Sequence, residues 1–236
     1  IYFLFTFMLL VTIGSAIIPC ALEDSKCTTS AVNPLFKDLV NGRPDIGVPT
    51  SDPLHQDVIH GFVPDLKYIL SDAYLYGMRD CNVEKHSLNL QRLTWIFIIN
   101  CPKLILESNY ETIGLIDGNY IEGKGRCRIV HENYHMSMHG GFEIATAANG
   151  KPHFIIRNFD FNRLEVVGNV QYQFENLYYG DAVKSHFMHK YLNDNWKAVS
   201  SYAHYPIMYS FMGKTFEHLN IFLAVVPADE IFFRIV

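Results

Sequence analysis

The sequence predicts an α+β fold, in which an antiparallel sheet in the middle of the chain packs against one long helix near the C-terminus. Between residues 66 and 175, apolar and polar residues alternate, as in Val170-Gln-Tyr-Gln-Phe-Glu, and turn dipeptides such as Asp117-Gly118 separate the alternating segments. After Asp181 the apolar residues recur at steps of three and four, which is the period of a helix. This change of period indicates strands first and a helix afterwards.

The N-terminal segment is typical of a secretory signal peptide. Residues 1–13 are apolar except for two threonines, and Gly14-Ser15-Ala16 supplies small residues at a possible cleavage site. We expect residues 1–16 to be an N-terminally incomplete signal peptide, followed by one mature domain over residues 17–236. The competing interpretation is a membrane anchor, but 16 to 18 apolar residues are few for the ~30 Å of a bilayer core. The protein is therefore expected to be secreted and extracellular, with no stable membrane insertion after cleavage.

The composition limits the classes of function. About half of the 236 residues are hydrophobic (49%) and 18% are charged, which predicts a folded chain with a sizeable core rather than a disordered one. The net charge of −5 leaves no basic stripe to neutralise phosphates, so no nucleic-acid partner is expected.

The chain contains five cysteines, and an oxidising compartment favours disulfides among them. Cys20 and Cys27 are close in sequence, so a small loop closed by a bridge is plausible. For Cys81, Cys101 and Cys127, a second bridge and burial as small apolar residues are both open. Because the number is odd, at least one thiol is free or pairs between chains.

Two helices are predicted outside the sheet. A short one lies near Leu35 to Val40, within a region rich in Pro, Gly and Asp. The long one runs from Asn195 to Val226 and would measure about 48 Å at ~1.5 Å per residue. It is apolar over much of its circumference, so we expect it to be buried on more than one side and the sheet to curl around it. Pro206 should kink it, because proline removes one backbone donor.

Four segments in order along the chain resemble one known family. They are Asn41-Gly-Arg-Pro-Asp-Ile-Gly-Val-Pro-Thr-Ser-Asp-Pro-Leu54, Phe174-Glu-Asn-Leu-Tyr-Tyr-Gly-Asp181, Tyr191-Leu-Asn-Asp-Asn-Trp196 and Val226-Pro-Ala-Asp-Glu-Ile-Phe232. Together they span nearly the whole mature chain, and they resemble the takeout and juvenile-hormone-binding proteins of insects, which are relatives of the tubular lipid-binding fold.

The resemblance implies a long C-terminal helix wrapped by a highly curved antiparallel sheet, with a hydrophobic tunnel between them. It implies an extracellular carrier of juvenile hormone-like terpenoids, fatty acids or related lipids, which is not an enzyme and needs no cofactor. It also implies a disulfide between Cys20 and Cys27. No cysteine follows Cys127, which departs from the hormone carriers of moths and favours the takeout-like branch. The tunnel-lining candidates are the aromatic, Met and Ile side chains of the long helix, although each could simply fill the core: Trp196, Ile207, Met208, Phe211, Met212, Phe216 and Phe222.

One local motif indicates a different function. His131-Glu132-Asn-Tyr-His135 satisfies H-E-x-x-H, and His139 extends the spacing by four, so the alternative is a zinc-dependent hydrolase. That chemistry requires a helix, whereas the glycine-rich flanks predict a strand. On a strand the two histidines would share a face about 13 Å apart, too far for one metal. We therefore expect solvent-facing polar residues and no metal site here.

Overall fold

The computed structural model describes Cys20, residues 24–148 and residues 150–231. The predicted signal peptide and its cleavage site lie outside these residues. The helices and strands are α1 (Ser25–Asn41), β1 (Leu54–Val63), β2 (Leu66–Tyr76), β3 (Asn82–Asn89), β4 (Thr94–Ile116), β5 (Asn119–Thr146), β6 (Pro152–Val166), β7 (Val170–Phe174), α2 (Ala182–Asp194), α3 (Trp196–Val225) and α4 (Ala228–Ile231).

All seven strands form one antiparallel sheet in which β1, β2, β4, β5 and β6 follow one another. The frame is the long β4–β5 hairpin, closed by the predicted turn at Asp117-Gly118. One half of this hairpin is flanked by β2 and β7, and the other half by β3 and β6. Along β4 and β5, buried and exposed side chains alternate, but the alternation is interrupted where the two halves meet. Two successive residues are exposed there, at positions 102–103 on β4 and 132–133 on β5. The sheet therefore has two halves that share two continuous strands.

The helix α3 lies in the opening of the curved sheet and packs against both edge strands, β1 and β6. Its side chains reach the backbone of β6 through Asn220, and Gln56 of β1 donates to the Ser210 carbonyl at 2.7 Å. The predicted helix is confirmed to within one residue at each end, and it continues through Pro206. The sheet does not close on itself. The predicted fold class, a curved antiparallel sheet around a long C-terminal helix, is thus confirmed.

The helix α1 is longer than the predicted Leu35–Val40 segment, and β1 begins before the predicted strand region. Asp24 caps its first turn by accepting hydrogen bonds from two backbone N–H groups at 3.0 Å. The Asn33 side chain then bonds both the N–H and the carbonyl of Val83 on β3, each at 2.8 Å. These tertiary contacts hold a helix that contains an interior proline, Pro34, which is why local propensity underestimated its length.

Four cysteines are paired in the structure. Cys20 is bonded to Cys27, and Cys81 to Cys101, where the two halves of the sheet meet. Cys127 is a buried free thiol 3.6 Å from the Ser108 hydroxyl, and burial raises its pKa to about 11. Of the two possibilities left open for the three later cysteines, the structure thus contains a second bridge and one buried thiol.

Candidate ligand-binding site

A cavity of about 130 Å³ lies between α1, the C-terminal half of α3 and the sheet half that contains β3 and β6. Among the described residues, no Asp, Glu, Lys or Arg side chain lines its walls. The lining residues are Val32, Leu35, Phe36, Leu39, Met78, His86, Leu88, Trp95, Phe97, Ile99, Met138, Phe142, Phe154, Ile156, Met212, Thr215, Phe216, Leu219, Phe222, Leu223 and Ile231. Such an apolar cavity is suited to a small apolar molecule.

Regular spacing brings these side chains to the cavity from three elements. On β4, alternate residues from Trp95 to Ile99 face inward, as the pleat of a strand requires. On α1 the spacing from Val32 to Leu39 follows i, i+3, i+4 and i+7, which places those apolar side chains on one face. The C-terminal half of α3 supplies the remaining wall by the same helical spacing. Two helices and one half of the sheet therefore surround the site.

The position of the Trp95 ring depends on its partner across the strands. Trp95 pairs with Gly140 on β5, and a Cβ added at Gly140 would lie 2.7 Å from the indole Cζ2. The ring also packs against Phe216 of α3, with centroids 5.1 Å apart. Trp95 is 4% exposed, and its Nε1–H has no acceptor among the described residues.

Few other polar groups face the cavity. The Thr215 hydroxyl donates to the Phe211 carbonyl at 3.1 Å, within its own helix. His86 packs its ring edge against Phe97, and burial lowers the pKa of His86 to about 4. The imidazole is therefore neutral at physiological pH, and none of the described lining residues is charged.

The seven residues predicted from the long helix are not all at this site. Met212, Phe216 and Phe222 line the cavity. Ile207, Met208 and Phe211 lie in the buried core, and Trp196 is partly exposed at the beginning of α3. These four do not line the cavity. The prediction did not include the lining residues on α1 and on the strands. For α1, the spacing of apolar residues by three and four from Val32 to Leu39 was a signal in the sequence.

The H-E-x-x-H segment lies on β5, as predicted, but its two histidines do not share a face. His131 is 2% exposed, whereas Glu132 is exposed and the His135 Nε2 lies 2.9 Å from a Glu84 carboxylate oxygen on the outer surface. The reason is Asn133, whose positive φ of 54° makes two successive residues point outward. The expectation that His131 is solvent-facing is therefore wrong. Within residues 24–148 and 150–231, no three His, Cys, Asp or Glu side chains are grouped to hold a metal.

The buried His131 belongs to a polar cluster separate from the cavity. Its ring lies 4.7 Å from that of His204, whose Nε2 is 2.9 Å from the Tyr172 hydroxyl. Burial lowers the pKa of His131 to about 4, and burial together with neighbouring His131 places the pKa of His204 well below its usual value. Both imidazoles are neutral, and the His204 Nδ1 atom has no hydrogen-bond partner among the described residues.

Comparison with known proteins is consistent with this architecture. The family profile of the haemolymph juvenile hormone binding proteins matches residues 2–233. The crystal structure of Takeout 1 from Epiphyas postvittana superimposes with a TM-score of 0.86 at 29% sequence identity, covering 92% of this chain and 99% of that one. The comparison with curated protein sequences gave no significant match. No helix in the described part of the chain is both long and apolar enough to cross a membrane. The chain belongs to the haemolymph juvenile hormone binding protein family.

Proposed function

We propose that this protein is a secreted carrier that holds a small hydrophobic ligand in the cavity between α1, α3 and the sheet. The observation that carries the proposal is a cavity whose described lining residues include no charged side chain. An apolar ligand transferred from water to such a wall gains the hydrophobic free energy without leaving a buried charge unpaired. Terpenoids resembling juvenile hormone, fatty acyl compounds and related lipids have this chemistry. The family membership and the similarity to Takeout 1 support the same function.

The energetics are sufficient for a carrier. Burying on the order of 400 Å² of apolar ligand surface contributes roughly 10 kcal/mol at ~25 cal/mol/Å². The loss of translational and rotational freedom offsets several kcal/mol of this gain, which leaves an affinity between micromolar and nanomolar. Secretion agrees with the two disulfides, because such bonds persist in oxidising compartments.

We propose further that the ligand is released unchanged. A zinc-dependent hydrolase would need the two histidines of the H-E-x-x-H segment on one metal, whereas they project from opposite faces of β5. The family to which the chain belongs consists of binding proteins.

The cavity can be tested by filling it. Leu219 lines the cavity, whereas Ile221 on the same helix is 39% exposed and does not line it. Binding of the neutral fluorophore N-phenyl-1-naphthylamine, excited directly, should weaken by about tenfold or more in Leu219→Trp, because the larger side chain occupies the site. The matched variant Ile221→Trp should bind as the unmodified protein does.

Thermal unfolding of both variants shows whether each still folds, and mass spectrometry of the bound fraction shows whether a ligand is recovered unaltered. Equal probe affinity in Leu219→Trp and Ile221→Trp, with both folded, would place binding elsewhere. Absence of probe binding to the unmodified protein would reject the carrier function.

A further inference from the structure

We infer that the ligand enters and leaves the cavity between α3 and the edge strand β6, past a stack of aromatic rings that runs from the surface to the cavity wall. The inference rests on the proposed function and adds the route of exchange, together with Phe159 as the residue that obstructs it. Phe159 does not line the cavity, so it should control how fast a ligand binds and not how tightly.

The rings form a continuous series from solvent to the cavity. Tyr209 on α3 is 42% exposed, and its ring stacks on that of Phe159 on β6 with centroids 4.6 Å apart. Phe159 packs in turn against Phe216, at 4.7 Å, and Phe216 packs against Trp95, at 5.1 Å. The last two line the cavity, whereas Tyr209 and Phe159 do not. Phe159 therefore lies between an exposed ring and a ring of the cavity wall.

The seam between α3 and β6 is held by hydrogen bonds on both sides of these rings, but not at the rings themselves. On one side the Tyr205 hydroxyl donates to the Asp160 carboxylate at 2.6 Å. On the other side the Asn220 side chain bonds both the N–H and the carbonyl of Ile156. Among the described residues, no hydrogen bond joins residues 206–219 of α3 to β6. The rings can therefore separate without breaking a hydrogen bond between the helix and the strand.

The helix is also weakened beside the rings. Pro206 has no backbone N–H and Gly213 is unfavourable in a helix interior, and both lie in the segment of α3 that borders the seam. For a Cβ added at Gly213, the first atom met outside the helix backbone would be Cε1 of Phe159, at 3.9 Å. The missing side chain leaves space beside the Phe159 ring in which the ring can move.

The opposite side of the cavity, between α1 and β3, is fastened more firmly. The Asn33 side chain bonds the N–H and the carbonyl of Val83, and the Thr29 hydroxyl accepts from the His86 N–H at 2.9 Å. The Ser25 hydroxyl donates to the His86 carbonyl, also at 2.9 Å. Moving α1 away would leave these partly buried groups unpaired, which is unfavourable. The aromatic seam is therefore the easier side of the cavity to open.

The route can be tested by obstructing it after the protein has folded. Gly213→Cys places a thiol beside Phe159, which is then alkylated with N-cyclohexylmaleimide, and stopped-flow mixing with N-phenyl-1-naphthylamine gives the association and dissociation rate constants. Alkylation should lower both rate constants by about fivefold or more and change Kd by less than about twofold, because the added group hinders passage outside the cavity. Each alkylated protein is compared with the same variant before alkylation, so an effect of the substitution on folding does not enter the comparison.

Two controls accompany this measurement. Ile221→Cys, at a position on α3 that is 39% exposed and does not line the cavity, should keep both rate constants when it is alkylated in the same way. The unmodified protein, whose free thiol Cys127 is buried, receives the same treatment as a reference.

Phe159→Ala tests the opposite direction. Removing the ring should raise both rate constants by about threefold or more, with Kd again unchanged within about twofold. Thermal unfolding shows whether this variant is folded. Unchanged rate constants in alkylated Gly213→Cys or in folded Phe159→Ala, equal slowing in alkylated Ile221→Cys, or a change of Kd that comes from dissociation alone would overturn the route while leaving the carrier function intact. Absence of probe binding to the unmodified protein would reject that function itself.

Discussion

Among single residues, Gly140 controls the shape of the cavity. A Cβ at this position would lie 2.0 Å from the backbone oxygen of Asn158 and 2.7 Å from the Trp95 ring. The backbone oxygen belongs to the neighbouring strand β6 and cannot move without disturbing the pairing of β5 with β6. At the neighbouring Gly141, an added Cβ would meet its nearest atom, Oδ1 of Asn158, at 3.4 Å, which is an ordinary van der Waals distance.

These distances predict different outcomes for two adjacent substitutions. Gly140→Ala should lower the free energy of unfolding by about 1–3 kcal/mol, because overpacking displaces the strand or the indole. Gly141→Ala should change it by less than about 0.5 kcal/mol. Urea unfolding of both variants provides the comparison, and the same loss in both would show that the cavity wall does not restrict residue 140.

The residues that line the cavity could be predicted from sequence only in part. Helical spacing showed that α3 is apolar on several faces, yet it could not distinguish Phe216, which faces the void, from Phe211, which packs in the core. Whether a side chain of α3 lines the cavity or packs in the core depends on which strands and helices lie opposite it. That is a property of the tertiary fold. Similarly, the opposite orientations of His131 and His135 follow from the backbone at Asn133, where asparagine's tolerance of positive φ was the only local signal.

Between elements, the contacts of α3 with the sheet edges stabilise an open sheet. Edge strands expose unpaired backbone groups, and here the side chains of the helix satisfy some of them. The Asn220 amide accepts from the Ile156 N–H at 2.9 Å and donates to the Ile156 carbonyl at 3.0 Å, as a neighbouring strand would. On the opposite edge the contact is reversed: the Gln56 side chain of β1 donates to the Ser210 carbonyl of α3. The change of period after Asp181 predicted the helix. The pairing of Asn220 with the Ile156 backbone could not be predicted in this way, because it joins residues that are far apart in the sequence.

Asn220→Ala should therefore destabilise the protein by about 1–3 kcal/mol, since it leaves a partly buried donor and acceptor of β6 unpaired. Gln56→Ala removes a single hydrogen bond and should have the smaller effect. Hydrogen exchange of the Ile156 amide should accelerate in the first variant and remain unchanged in the second. An unchanged Ile156 exchange rate in Asn220→Ala would show that the helix does not protect this edge.

Over the whole molecule, the two halves of the sheet have different interiors. One half contains the apolar cavity with the neutral His86, and the other contains the buried cluster of His131 and His204. Three imidazoles are consequently held neutral inside the protein, and burial is the largest cause of the lowered pKa of each. Alternating polarity predicted the strands, but the burial of these histidines depends on the tertiary arrangement around them.

This arrangement makes the stability of the protein depend on pH. In the unfolded chain the histidines take up protons near pH 6.5, whereas in the folded protein His86 and His131 do so only at about pH 4. Between these values the unfolded state binds more protons, so the free energy of unfolding decreases as the pH falls. Each fully buried imidazole contributes up to roughly 2 kcal/mol of this loss between pH 6.5 and pH 5.

Urea unfolding at pH 7.5, 6 and 5 should therefore show a steep loss of stability as the pH falls. In His131→Phe, the slope of the unfolding free energy against pH should decrease by the equivalent of about one proton. This variant keeps an aromatic ring beside His204 and removes one titrating group. A slope in His131→Phe identical to that of the unmodified protein would mean that His131 is protonated as easily in the folded state as in the unfolded one. Water would then reach the polar half of the interior, and the imidazole cluster would be an open site instead of a buried network.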